Sequence, residues 1–261
     1  MKNHLSKRRE LTPIEQQFKK KATIFASLCA FLLLLHFIII SIVFTWSDWV
    51  TTLIFSLLFI VPAYISNASM VIMGGGNPID GGRIWKDGRR LFGEHKTWAG
   101  LIKGPLFIGI PISIGVFVLF LVLWQFIGPA FQVAINFNLY VLYDGLNYYE
   151  YYFIGGPFPI GFISLIFRII ICSYGAGIGD LIGSFLKRRF NIESGMPFWI
   201  VDQLDFALFS ILFVSIPGFI APDIFWVPDI NIVVFLIILT PSVTIIGSTA
   251  GYYLGVKEVP W

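Results

Sequence analysis

Three aspartates and three bases fall within "GIGDLIGSFLKRRFNIESGMPFWIVDQLDF", Gly177–Phe206, where an apolar run meets a dense polar patch. Asp180 is an acid among apolar residues, a costly placement unless it is paired or bound to a metal. Asp202 and Asp205 are three apart, so on a helix they share a face. Two carboxylates on one face and a third on a neighbouring helix suit Mg²⁺. That ion takes one or two carboxylates and fills its octahedron with phosphate oxygens and water. His4, His36 and His95 are scattered and form no cluster with cysteine, which argues against zinc. Gly175, Gly179 and Gly183 recur every fourth residue and so lie on one helix face. That small-residue face suits close helix contact at least as well as a ligand.

A second polar stretch complements the first. "MGGGNPIDGGRIWKDGRRLFGEHKTWAGLIKG", Met73–Gly104, carries Asp80, Arg83, Lys86, Asp87, Arg89, Arg90, Lys96 and Thr97 between glycines. Three glycines in a row end the preceding helix and allow close backbone approach. Bases on a flexible backbone suit several phosphate groups at once. Arginine grips oxygens in a fork, lysine acts as a point charge, and free N–H groups add donors. No G-x-x-x-x-G-K-[ST] occurs, so this is not a Walker loop. Acids for Mg²⁺, bases for phosphates and a membrane edge together imply a reaction between a nucleotide and a lipid phosphate. The residues alone name neither the base nor the lipid.

The elements that must hold these loops are membrane helices. The 261 residues are 57% hydrophobic and 13% charged, with mean hydropathy +0.82, against about 25% charged residues in soluble domains. Six stretches approach or exceed the roughly 20 apolar residues a span requires: Ile24–Phe44, Leu53–Met73, Leu101–Ile127, Gly161–Ser184, Phe206–Phe219 and Ile232–Leu254. The fifth is short, cut by Pro217 and Gly218. The expected fold is all-α, a polytopic helical bundle with two functional inner loops. Seven of the 18 Lys and Arg precede Ala22, six lie from Arg83 to Lys103, three are Lys187–Arg189 and one is Lys257. By the positive-inside rule these segments, and both termini, are expected in the cytoplasm of a cell-membrane protein. Met1–Lys21 precedes a span too long for a signal-peptide core and reads as the basic tail of an uncleaved anchor. The segment Gly128–Gly161 reads as an aromatic interfacial cap on the other side. Arg168 is the one base well inside a span and, by that placement, a candidate for function. Cys29 and Cys172 lie in apolar spans, where packing is the expected role.

Several blocks in one order resemble the archaeal CDP-archaeol synthases, integral-membrane CTP transferases similar at a distance to CDP-diacylglycerol synthases. They are "PAYISNAS" (Pro62–Ser69), "PIDGGR" (Pro78–Arg83), "DGRRLFGEHKTWAG" (Asp87–Gly100), "GDLIGSFLKRR" (Gly179–Arg189) and "DQLDF" (Asp202–Phe206). The resemblance implies transfer of CMP from CTP to 2,3-bis-O-geranylgeranylglycerol 1-phosphate, with pyrophosphate released and Mg²⁺ required. Carried onto this chain, Asp180, Asp202 and Asp205 become the metal-holding and catalytic acids, with Lys187 beside them. Asn67, Asp80, Arg83, Asp87, Arg89, Arg90, Lys96, Thr97, Ser184 and Arg188 become the substrate and phosphate site. The implied partners are CTP, the lipid phosphate and membrane lipids, without nucleic acid, and the glycine face allows a homodimer.

The chain departs from the family pattern in three places. The family has five spans, so residues 1–45 read as a basic tail plus an added helix, and 46–261 as the transferase domain. The added part carries none of the blocks and is expected to be dispensable for chemistry. Met70 stands where a proline follows Asn-Ala-Ser, and Gly81 where a bulky apolar residue follows the aspartate. The alternatives are a CDP-alcohol phosphotransferase, whose signature also opens on Asp-Gly, and an anion transporter. "DGRRLF" lacks the Ala-Arg and later aspartates of the former. A transporter calls for charges along a transmembrane path, and only Arg168 and Asp180 lie within spans.

Overall fold

The computed structural model describes residues 11–157, 159–192 and 196–260, so the first ten residues of the basic tail lie outside it. Six helical segments are long and apolar enough to cross a membrane, in the order the sequence predicts. Helix α1 is Pro13–Val43, α2 Trp46–Ile72 and α3 Trp98–Gly104. A π turn at Pro105–Gly109, where the proline brings no N–H to the ladder, continues α3 into α4, Ile110–Asn136. Helix α5 is the short Leu146–Ile154, followed by α6 (Ile160–Arg189), α7 (Trp199–Ile220) and α8 (Ile230–Tyr253). No regular strand occurs among the described residues; two isolated bridges, Pro78–Thr97 and Ile84–Arg90, fasten the first polar loop.

Two helices start well before their apolar residues, and capping chemistry is the reason. In α1, Thr12 caps the Glu15 N–H while the Glu15 carboxylate accepts from Thr12 N, with Pro13 in the first turn. The helix therefore begins eleven residues ahead of the expected Ile24 and takes Lys19–Lys21 into regular structure. Thr45 and Asp48 do the same for α2. Such reciprocal caps satisfy N–H groups that the helix itself leaves unpaired. Pro217 does not cut α7, which runs on to Ile220.

Helix α2 lies at the centre, touching α1, α4, α6, α7 and α8, while α6 and α7 form the most extensive helix pair. The core centres on Phe55, Phe59, Leu165, Ile169 and Phe235. The aromatic segment after α4 differs from its expected role. Helix α4 continues to Asn136 and α5 turns inward, so Tyr143, Tyr149 and Tyr152 are buried rather than spread along an interface. The Tyr152 ring stacks on Phe55 at 4.4 Å, and large rings at that spacing contribute beyond their buried area. Asp48 secures this end by accepting hydrogen bonds from the N–H groups of Val141 and Leu142.

Candidate active site

The first polar loop is built around Asp80. Its side chain is fully enclosed and accepts from Gly82 N at 3.0 Å, Phe92 N at 3.2 Å and the Arg90 guanidinium at 2.9 and 3.0 Å. Burial by itself would raise the Asp80 pKa. The Arg90 guanidinium and the two backbone donors outweigh it and hold the carboxyl below its ordinary range. The tight approach of the chain at Gly81 and Gly82 uses φ values of 54° and 77°, a left-handed region that glycine enters without penalty. Asp80 is thus the hub that shapes the loop and does not line its cavity.

Arginines then stitch this loop to the end of α6. Arg89 donates to the carbonyls of Arg188 and Arg189 at 3.3 and 3.0 Å, satisfying acceptors that a helix end leaves open. Arg188 donates to the Phe92 carbonyl at 3.0 Å, and Arg189 donates to the Arg90 carbonyl and pairs with Asp87 at 3.1 Å. The Phe185 ring sits under Trp85 and against the Arg189 guanidinium. Much of the basic charge expected to face phosphate is therefore engaged in holding the two loops together.

The first polar loop meets helix α6 at Lys96. Its ammonium donates to both oxygens of Asp180, at 2.6 and 2.7 Å, across 84 residues of chain. A cavity of about 380 Å³ opens beside this pair, lined by Asn67, Glu94, His95, Lys96, Thr97 and Asp180 on its polar side, with Met70, Leu101 and Leu181 on its apolar side. Its size falls in the range of small-molecule sites. Thr97 contributes as a cap: its hydroxyl accepts from Gly100 N at the start of α3 and from Gly75 N.

The remaining acids, Asp202 and Asp205, do not line this cavity, and neither does Lys187. Lys187 donates to Asp202 at 2.7 Å, and the same carboxylate oxygen accepts from Phe198 N at 2.8 Å at the start of α7. Asp205 presses against the glycine face of α6: a Cβ on Gly183 would collide with its carboxylate, and one on Gly179 with its backbone. The glycine spacing is therefore spent inside the chain, against α7, and does not present a free face to a second copy.

Among the described residues no three His, Cys, Asp or Glu side chains are arranged as a ready metal site. The donor chemistry nonetheless fits a hard cation, because Asp180, Asp202 and Asp205 offer oxygen ligands. Two of the three are neutralised in place by Lys96 and Lys187. Arg83 and Ser184 lie at the periphery, exposed and half-buried respectively. Arg168 is far from this chemistry: it is 5% exposed, over the Tyr151 ring at 4.8 Å, and donates to the Tyr151 carbonyl at 3.4 Å. It neither snorkels outward nor meets the cavity. Glu94 and His95 are cavity residues that charge patterning passed over; their place inside the block Asp87–Gly100 was the available signal.

Fold and site together define a membrane-spanning helical bundle with a polar cavity where the first polar loop meets α2 and α6. The family model described as CarS-like: CDP-archaeol synthase matches residues 49–261. The CDP-archaeol synthase of Thermococcus kodakarensis is 32% identical over 213 residues, covering 82% of this chain and 99% of its own length. That of Methanococcus aeolicus is 36% identical over 206 residues, covering 79% and 95%. A solved structure of an intramembrane enzyme for archaeal membrane lipids biosynthesis is similar at a TM-score of 0.43 and 26% identity, over 69% of this chain and 84% of that one. The chain belongs to the CDP-archaeol synthase family. Helix α1 precedes the matched region.

Proposed function

We propose that this protein transfers the cytidylyl group of CTP to an unsaturated archaeal ether-lipid phosphate, 2,3-bis-O-geranylgeranylglycerol 1-phosphate, giving the CDP-activated lipid. Family membership supports the reaction, and the observation that carries it to named residues is the Lys96–Asp180 pair joining the first polar loop to helix α6 at the cavity wall. A lipid phosphate oxygen attacks the α-phosphorus of CTP, the bond to the β-phosphate oxygen breaks, and pyrophosphate leaves with that electron pair. The nucleophile is already ionised at neutral pH, so no strong general base is needed. The work left to the protein is positioning and charge neutralisation.

Asp180, Asp202 and Asp205 would hold Mg²⁺, which when bound neutralises phosphate oxygens in the transition state. Lys96 and Lys187 then have a second use. Each is paired with an acid, and with that acid holding a cation each ammonium would be available to a triphosphate or lipid phosphate oxygen. Asn67 and Thr97 border the same space. The apolar rim at Met70, Leu101 and Leu181 lets the isoprenoid chains stay in the bilayer while the headgroup enters sideways. The loops and both termini face the cytoplasm, where CTP is found; the charge distribution supports that orientation.

The test is purified protein with Mg²⁺ and each nucleoside triphosphate in turn, against the ether-lipid phosphate and phosphatidic acid. The expected outcome is pyrophosphate release with CTP and the ether lipid, matched by CDP-lipid formation. Equal use of all four triphosphates, or no lipid product, would overturn the proposal.

A further inference from the structure

We infer that α1, although it precedes the family match, positions the acids of α7 through Trp199. The inference deepens the cytidylyl-transfer reading and rests on it, and it reverses the expectation that the added helix is dispensable.

Helix α1 is packed along a narrow seam. Ala22, Ala26 and Cys29 are buried with Ile245 of α8 in a small core of their own, on which Phe25, Ile246 and Trp199 pack. His36 and Ile40 continue the seam, while Ile24, Leu28, Phe31 and Ile38 face outward. Burial recurring at intervals of three and four residues marks a helix docked along its length. At the loop end, Phe18 meets the Trp199 ring at 6.1 Å, and Phe25 meets it edge-on at 6.3 Å and 90°.

Trp199 is the first residue of α7 and has φ of 32°. A bulky residue with positive φ is strained and persists only where its surroundings over-determine it. The surroundings here are the two α1 rings and the small core beneath them. No side chain caps α7 from Phe198. Its first turn is fixed instead by Trp199 and by Asp202 accepting from Phe198 N. That carboxylate is the one Lys187 holds, and Asp205 lies three residues further on. Loosening Trp199 therefore shifts Asp202 and Asp205 together relative to Asp180 on α6. The rings of α1 touch no substrate, so Phe18, Phe25 and Trp199 are positioning residues.

The test uses the full chain in four forms: unaltered, Phe18→Ala/Phe25→Ala, Trp199→Ala and Trp199→Phe. Two quantities are read on each: the KM and kcat of transfer, and the rise in melting temperature produced by Mg²⁺ with CTP. The expected result is KM for CTP raised about tenfold or more in the double and Trp199→Ala variants, an interaction lost in ground and transition state alike. Their Mg²⁺·CTP-induced melting shift should shrink in parallel, and Trp199→Phe should recover most of both. An unchanged KM and melting shift in the double variant overturns the inference. So does a Trp199→Ala variant that loses activity only in proportion to its folded fraction. An unaltered chain that makes no CDP-lipid overturns the cytidylyl-transfer reading instead, and the melting shifts still decide the positioning role.

Discussion

At the scale of single residues, the site stores its acids paired with lysines. Lys96 and Asp180 are each about a quarter exposed, at 28% and 24%, so their pairing is screened and modest in energy. Its significance is chemical, because it keeps the Asp180 carboxylate neutralised at the cavity wall. Asp180→Asn and Asp205→Asn keep side-chain shape and lose charge. Each should lower turnover by about 100-fold or more, read as pyrophosphate release, while the melting temperature in detergent stays close to that of the unaltered chain. Near-normal turnover in either variant removes that residue from the site. Asp80 makes a different prediction, about stability. Its folded-state carboxyl is held below the ordinary value. Its contribution is therefore complete above the ordinary carboxylate range near about 4 and drains away as pH falls through the depressed folded value. Asp80→Asn should cost about 1–3 kcal/mol at pH 7, with the melting gap to the unaltered chain closing as pH drops below about 4. A gap that stays constant down to pH 3 would count against the hub assignment. The sequence made the acids and Lys96 visible because their types are rare in so apolar a chain. It did not show that Asp80, Arg89 and Arg189 serve the loop framework, because an arginine bound to a carbonyl and one awaiting phosphate look alike in composition.

At the scale of elements, the α6–α7 pair sets the site's spacing. Gly175, Gly179 and Gly183 all face α7, and the tightest approach brings the Asp205 carboxylate against Gly183. Gly183→Ala should therefore push α7 away from α6, costing about 1–3 kcal/mol as overpacking and lowering turnover more than stability alone explains. Gly247 in α8 is the control, because a Cβ there meets nothing within 4 Å. Gly247→Ala should leave turnover intact and stabilise the fold by about 0.5–1 kcal/mol. Equal activity loss in both would show that helix glycines matter here for flexibility rather than for spacing. Apolar runs and the four-residue glycine period were sufficient to place six helices and one packing face. Helix starts were not legible from hydropathy, since Thr12, Thr45 and Asp48 begin helices through caps rather than apolar content. The role of α5 was hidden for a related reason: tyrosines suit an interface and a core alike, and the segment is drawn inward by long-range bonds such as those of Asp48 to Val141 N and Leu142 N.

At the scale of the whole molecule, both polar loops lie at one end of the bundle, joined by Lys96–Asp180 and by Arg89, Arg188 and Arg189. The aromatic segment with Asp48, Tyr143 and α5 lies at the other. A single orientation therefore governs whether the cavity meets CTP at all. Lys19–Lys21 and the bases of Arg83–Lys103 and Lys187–Arg189 fall on the loop end, where the positive-inside rule puts the cytoplasm. Cysteine labelling tests this directly, because Cys29 and Cys172 are both buried and contribute little background. In intact cells, a cysteine at the exposed Lys86 position should react only with membrane-permeant reagents, and one at the exposed Asn147 position should react with impermeant ones. The reverse pattern would place Lys96, Asp180 and the cavity outside the cell, away from the nucleotide pool. Cytidylyl transfer would then fail on supply even with the site geometry intact, so orientation and chemistry are separable: purified protein in detergent would still release pyrophosphate, and cells would not make the lipid.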